Sequence, residues 1–142
     1  MTNTNKKFAF GAAPKEFTKA VGIVLVTGEV AEINFTFIYR TRAEFAALVD
    51  ENMVKAQAEA DAADKAAAGD GAAPAPRKTM KDLYDQIDKI GVDYVLKIAK
   101  GWDLSDTFDA ASLQRLENEN PGSLNAISTV YRMAVAEVRT KN

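Results

Sequence analysis

Apolar and polar residues alternate in two runs near the start of the chain, on either side of a turn at Gly28. Such alternation places one face of a β-strand against a core. Two alternating runs around a glycine turn predict an antiparallel hairpin, and its Phe-rich face should be covered by the helices that follow. The apolar positions are Phe17, Val21, Ile23 and Leu25 in the first run and Ile33, Phe35, Phe37 and Tyr39 in the second.

A first helix is predicted to follow the hairpin directly. Thr41 and Glu44 have the spacing of a capping box, in which each side chain accepts a hydrogen bond from the other residue's backbone. The helical repeat fades after Val54. The apolar positions that share one face of this helix are Phe45, Leu48, Val49 and Met53.

An alanine-rich stretch comes next, with eleven alanines among the twenty-one residues 56–76. Alanine extends a helix by propensity alone, but this stretch has nothing large to bury. Glycines at 69 and 71 and prolines at 74 and 76 predict a mobile linker over about 56–78. An inert spacer is the favoured interpretation, and a segment that orders on a partner is the alternative.

A second helix is predicted from about Thr79, and it has the strongest amphipathic pattern in the chain. Gly91 inside it indicates a close contact or a break, and Gly101 should end it before an acidic connector that starts at Trp102. Its apolar stripe consists of Met80, Leu83, Tyr84, Ile87, Ile90, Gly91, Tyr94, Val95 and Ile98.

Two more helices are predicted. The third covers about 109–118, and the last begins with Asn120 as cap and Pro121 in the first helical position, and ends in basic residues. The predicted fold class is therefore α+β, with an N-terminal antiparallel hairpin followed by about four α-helices. Residues 1–16 are expected to be a flexible arm, with a short strand near Lys7–Phe10 as the weaker option, and 17–142 a single domain interrupted by the linker.

Composition narrows the possible functions. The chain has neither cysteine nor histidine, so it lacks disulfides, thiolate nucleophiles and the commonest general base and zinc ligand. A net charge of -2 and a pI near 5.2 argue against nucleic acid as the main partner. No apolar run reaches membrane-spanning length. We therefore expect a soluble cytosolic binding protein, not an enzyme, with no cofactor and no membrane partner.

Three aspartates in the acidic connector are the only metal candidates that the spacing suggests. Asp103, Asp106 and Asp109 recur at every third residue, but they lack the ligand order, central glycine and terminal glutamate of a calcium loop. A solvated loop that supplies helix caps is the favoured interpretation, and no metal site is predicted.

Aromatic residues are the candidates for partner contact. At helical spacing, Tyr84 and Tyr94 fit core packing better than binding, whereas Trp102 leaves the helical pattern and suits a binding surface equally well. The predicted partner-binding residues are Phe45, Tyr84, Tyr94 and Trp102.

The order of these features resembles the tail assembly chaperones of long-tailed bacteriophages. The likeness covers roughly 17–50 and 78–142 and omits the alanine-rich stretch. It consists of the Phe-rich hairpin, Thr41-Arg42-x-Glu44-Phe45, the apolar helix ending at Gly101, Trp102-Asp103-Leu104, Asn120-Pro121-Gly122 and a last helix that carries Tyr131 and Ala134 and ends in Arg139-x-Lys141-Asn142.

The resemblance implies a non-enzymatic phage or prophage protein in the bacterial cytoplasm that is absent from the finished virion. Such chaperones coat the tape-measure protein and help recruit tail-tube subunits, and relatives often self-associate, so weak homo-oligomers are expected. Binding would use apolar helix faces and the hairpin edge. The alternatives are a minor tail or connector protein retained in the virion, and an enzyme with a site built from carboxylates and lysines.

Overall fold

Three strands and four helices make up the described part of the chain. The computed structural model describes residues 6–67 and 79–139, with the backbone alone for 63–67. The elements in chain order are β1 (Glu16–Val24), β2 (Val30–Ile38), α1 (Arg42–Ala67), α2 (Met80–Ile98), β3 (Ala99–Trp102), α3 (Ala110–Glu119) and α4 (Ser123–Val135). The predicted α+β class, with a hairpin before four helices, is confirmed.

The hairpin forms as the alternation predicts. β1 and β2 pair antiparallel, with Phe17 opposite Phe37 and Val21 opposite Ile33. Gly28 closes the turn at a φ of 91°, in the left-handed region that favours glycine. The odd-numbered residues of both strands share one face of the hairpin, on which Val21, Phe35 and Phe37 are fully buried and Lys19 is exposed.

The sequence did not predict the third strand. α2 ends at Ile98, before Gly101, and β3 follows at once and pairs antiparallel with β2, which becomes the central strand. The connector reinforces this pairing, because Asn34 donates its backbone N–H to Asp103 Oδ1 at 3.0 Å and its side-chain amide to Oδ2 at 2.8 Å. Four residues are too few for alternation to reveal a strand.

Two capping boxes start the first two helices. Glu44 N donates to Thr41 Oγ1 at 3.2 Å while Thr41 N donates to Glu44 Oε1 at 2.9 Å, as predicted. Thr79 and Asp82 exchange the same pair of bonds at the start of α2.

The alanine-rich stretch is helical as far as the structure describes it. α1 continues without interruption through residues 56–67, which the high helix propensity of alanine explains. The rest of the predicted linker, residues 68–78, lies outside the described residues. Its mobility stays a prediction.

The predicted start of the last helix is wrong. Asn120 caps the end of α3, where its N–H donates to Leu116 O at 2.9 Å, and α4 begins after Gly122, whose φ is 94°. The carboxylate of Glu117 replaces the missing side-chain cap, because it accepts from Gly122 N at 2.6 Å and Leu124 N at 2.9 Å. An anion there also suits the positive end of the helix dipole. α4 ends at Val135, so Arg139 lies beyond it.

The core lies between the sheet and the last three helices. Tyr131 of α4 is fully buried against Phe37, with ring centroids 5.4 Å apart. Its hydroxyl donates to Ile38 O at 2.7 Å and accepts from Arg40 Nη1 at 3.2 Å. Burial raises the pKa of this phenol above its ordinary value, so it stays neutral and its hydrogen bonds stay satisfied.

The segment before the hairpin has no regular element over its described part. Residues 6–15 contain neither strand nor helix, so the optional strand near Lys7–Phe10 is wrong. Phe8 and Phe10 stack edge to face on each other, with centroids 5.1 Å apart, and both are exposed. The predicted flexibility of this arm stays a prediction.

Candidate partner-binding surface

The apolar stripe of α2 is buried in its second half and exposed in its first. Val95 and Ile98 are 0% exposed, whereas Met80, Tyr84 and Ile87 are 63%, 60% and 64% exposed. Leu83 between them is also exposed. We name Met80, Leu83, Tyr84 and Ile87 the exposed stripe. Neighbouring apolar side chains exposed on one helix face mark an interaction surface more often than isolated ones do.

Gly91 marks the boundary between the two halves. A Cβ placed there would lie 3.0 Å from Leu124 Cδ1, so α2 and α4 approach closely at this point, as the sequence suggested. Leu124 is only the second residue of α4. The half of α2 before Gly91 is about 16 Å long at 1.5 Å per residue, and it precedes the contact with the start of α4, so α4 offers it little cover.

A groove of about 420 Å³ continues the exposed stripe along α2 toward its buried half. It lies between α1, α2 and α4; its apolar lining residues come from α1 and α2, and those of α4 are polar. Its lining residues are Phe45, Val49, Asn52 and Met53 of α1, Ile90, Gly91 and Tyr94 of α2, and Asn125, Ser128, Thr129 and Arg132 of α4.

Phe45 and Tyr94, two of the predicted partner-binding residues, come together in this groove. Phe45 is partly buried against Tyr131, with ring centroids 5.9 Å apart. Tyr94 is also partly buried, and desolvation raises its pKa above the ordinary value. Tyr84 lies ten residues earlier on the same helix, within the exposed stripe.

Trp102 lies elsewhere, on β3. Its ring packs edge-on against Phe35 and Phe108, with centroids 5.8 Å and 5.2 Å apart, and its indole N–H donates to Asp106 O at 2.7 Å. These contacts give Trp102 a packing role in the sheet and the connector. Its predicted role in partner binding is not tested by this placement.

Several exposed residues were missed because their spacing fits a core helix. Met80, Leu83, Ile87 and Met53 all belong to stripes that helical periodicity assigns to the interior, and Met53 is 65% exposed. The alanine-rich composition of α1 beyond residue 56 was the available signal. A helical segment whose only apolar side chains are alanines offers little apolar surface to cover large side chains on other helices.

Two ion pairs lie near this surface. Lys55 of α1 and Asp93 of α2 lie 3.8 Å apart, and Lys81 pairs with Asp85 at 2.6 Å along the exposed half of α2. Both pairs are solvent-exposed, so each stabilises the structure by less than about 1 kcal/mol.

The aspartates of the connector serve as local hydrogen-bond acceptors. Asp109 caps α3 by accepting from Ser112 N at 2.8 Å, as predicted, and Asp103 binds Asn34. Over residues 6–67 and 79–139, no three carboxylates converge in a way that would hold a metal ion. None of the helices in the described ranges combines the length and apolar character needed to cross a bilayer.

Comparison with known proteins gives one result. A family model described as phage tail assembly chaperone matches residues 3–142. Neither the curated proteins nor the solved structures include a significant match to the chain.

Proposed function

The chain belongs to the family of phage tail assembly chaperones, and from this premise we propose that it binds the tape-measure protein during tail assembly and helps recruit tail-tube subunits around it. The observation that supports this proposal most directly is the exposed stripe of α2. Its spacing of i, i+3, i+4 and i+7 is the one by which a helix contacts an apolar partner segment.

The groove beside the exposed stripe extends the binding surface. The client would contact the exposed stripe first and then Tyr94 and Phe45, while the free edge of the hairpin would offer a second contact. A protein that binds the unassembled form of its client raises the client's solubility by mass action. No catalytic step is needed for this role, and we propose that the chain is not an enzyme.

We further propose that the protein acts in the cytoplasm of the bacterial host and leaves before the particle is complete. The alternative is a minor tail or connector protein that stays in the virion. Mass spectrometry of purified particles distinguishes the two, because a structural component would be present in stoichiometric amounts.

Co-expression with a tape-measure fragment tests the proposal. The full chain should move the fragment from the pellet to the soluble fraction, and Ile87→Asp should reduce that effect several-fold, because a carboxylate in the apolar contact loses its hydration on binding. Val26→Asp is the matched control, since Val26 is 100% exposed in the hairpin turn, away from α2.

Two outcomes would contradict the proposal. If the full chain leaves the solubility of the fragment unchanged, tape-measure binding is wrong. If Ile87→Asp and Val26→Asp reduce solubility equally, the client binds somewhere other than the exposed stripe.

A further inference from the structure

The outer edge of β1 has outward-pointing backbone groups at every second residue. Tyr39 N donates to Lys15 O at 2.8 Å at one end of the hairpin, and Leu25 N donates to Glu29 O at 2.8 Å at the other. Bonded and non-bonded pairs alternate along an antiparallel ladder, and the register between these ends has no shift. Odd-numbered residues of β1 therefore bond to β2, and the N–H and C=O groups of the even-numbered residues point away from the sheet.

β1 forms one border of the sheet, since the strand order is β1-β2-β3. The residues whose backbone groups point outward are Glu16, Thr18, Ala20, Gly22 and Val24. In the described part of the chain, no backbone–backbone bond outside the helices and strands uses these groups. Edge groups of this kind accept an added strand.

A groove of about 560 Å³ lies beside the same edge, between β1 and α4. Phe17 and Ala20 line it from the strand, and Val130 and Met133 line it from the helix. A strand added to β1 would direct alternate side chains into this groove, where α4 would cover them as it covers the inner face of β1. The same added strand would therefore form backbone hydrogen bonds with β1 and bury its side chains in the groove.

The charges around the groove indicate which strand fits. Lys19 and Arg139 are its charged lining residues, and none of the ion pairs between described residues involves either of them. Glu16, the acid on this edge, is paired with Lys100. A second copy of the chain added antiparallel about Lys19 would place its own Lys19 opposite this one, and like charges directly opposite each other across strands are destabilising. An acidic segment would be attracted.

We propose that the outer edge of β1 binds an extended segment of a partner protein by strand addition, and that this segment carries alternating apolar residues with a carboxylate facing Lys19. That the partner is a phage tail protein rests on the proposed function, whereas the strand-addition geometry does not. α4 separates this edge from the groove beside α2, so the two surfaces are accessible to different segments at once.

A designed peptide tests the edge directly. The probe is a ten-residue peptide whose inward-facing side chains, at every second position, are valine or glutamate, and whose other residues are threonine. The comparison peptide has lysine in place of each glutamate. The full-length protein is titrated with each peptide, and hydrogen exchange of its backbone amides is measured. The glutamate peptide should protect the amides of Thr18, Ala20 and Gly22. Lys19→Glu should reverse the preference between the two peptides.

Ala20→Pro should weaken binding about tenfold or more, because proline removes an outward N–H and adds a ring at the edge. The N–H of Ala20 takes no part in the ladder with β2, so the hairpin keeps its own bonds. Thermal unfolding verifies that this variant is folded. If it is not, two N-methylated peptides replace it, one methylated at the odd positions and one at the even. Only one of them should lose affinity, since a strand bonds through one edge.

Equal binding of the two methylated peptides, or protection confined to α2, would overturn strand addition. A concentration-dependent dimer that Ala20→Pro abolishes would identify a second copy as the occupant and overturn the proposed acidic segment. A tape-measure fragment that stays insoluble while the peptide protects β1 would refute the proposed function and leave the strand site standing.

Discussion

The two halves of α2 have the same apolar spacing, yet the second is buried among the sheet, α3 and α4 while the first lies open to solvent. In the second half, Val92, Val95 and Ile98 pack into the core. In the first half, Met80, Tyr84 and Ile87 have no comparable cover. The difference shows that an amphipathic pattern does not by itself decide whether a helix face is buried within the fold.

Alanine truncation in each half of α2 should give the largest difference between the halves, measured as the free energy of unfolding. Ile98→Ala should lower the free energy of unfolding by about 2–5 kcal/mol, because it leaves a cavity in the core. Ile87→Ala should change it by less than about 0.5 kcal/mol, since that side chain is mostly exposed. Urea unfolding measures both, and equal losses would mean that the exposed stripe is covered in solution.

A larger residue at Gly91, the boundary between the two halves, should push α2 away from α4. Gly91→Val should cost about 1–3 kcal/mol, because its side chain would collide with Leu124 at the close approach of α2 and α4. Gly91→Ala is the control and should cost less, since the gain in helix propensity, about 1 kcal/mol, offsets the tighter contact. The unfolding midpoints in urea give both values, and a stabilising Gly91→Val would show that the approach is loose.

The smallest effect is expected at Asp103, just after β3, where the connector is hydrogen-bonded to β2. The hydrogen bonds from Asn34 hold the pKa of Asp103 below its usual 3.8. A depressed pKa in the folded state means that this contact stabilises the protein above about pH 4 and is lost as the pH falls through the folded value. Asp103→Asn should therefore lower the melting temperature slightly at neutral pH.

The same variant should differ less from the parent as the pH falls below about 4, because protonation removes the charge from the parent as well. Melting curves between pH 2 and 7, a range of about five units around the usual aspartate value, measure this convergence. A constant difference across the range would show that the charge of Asp103 does not contribute.

Much of the candidate surface was within reach of the sequence, although its arrangement was not. Phe45, Tyr84 and Tyr94 were candidates from their residue type, and the structure places all three on or beside one surface. Trp102 had the same chemical signature, but it packs on Phe35 and Phe108. Residue type shows which side chains could contact a partner. The tertiary structure decides which of them are already covered by the protein's own residues.

Local signals in the sequence determined the elements that short-range physics controls. Alternation determined the hairpin and its buried face, and the boxes at Thr41 and Thr79 determined where two helices begin, because these bonds join residues at most three apart. Only the tertiary structure decided the third strand, the capping of α4 by Glu117 and the exposure of half of α2. The third strand and the exposure of α2 depend on which distant segments meet, and the Glu117 cap depends on the turn between α3 and α4, so none of the three is determined within a single helical turn.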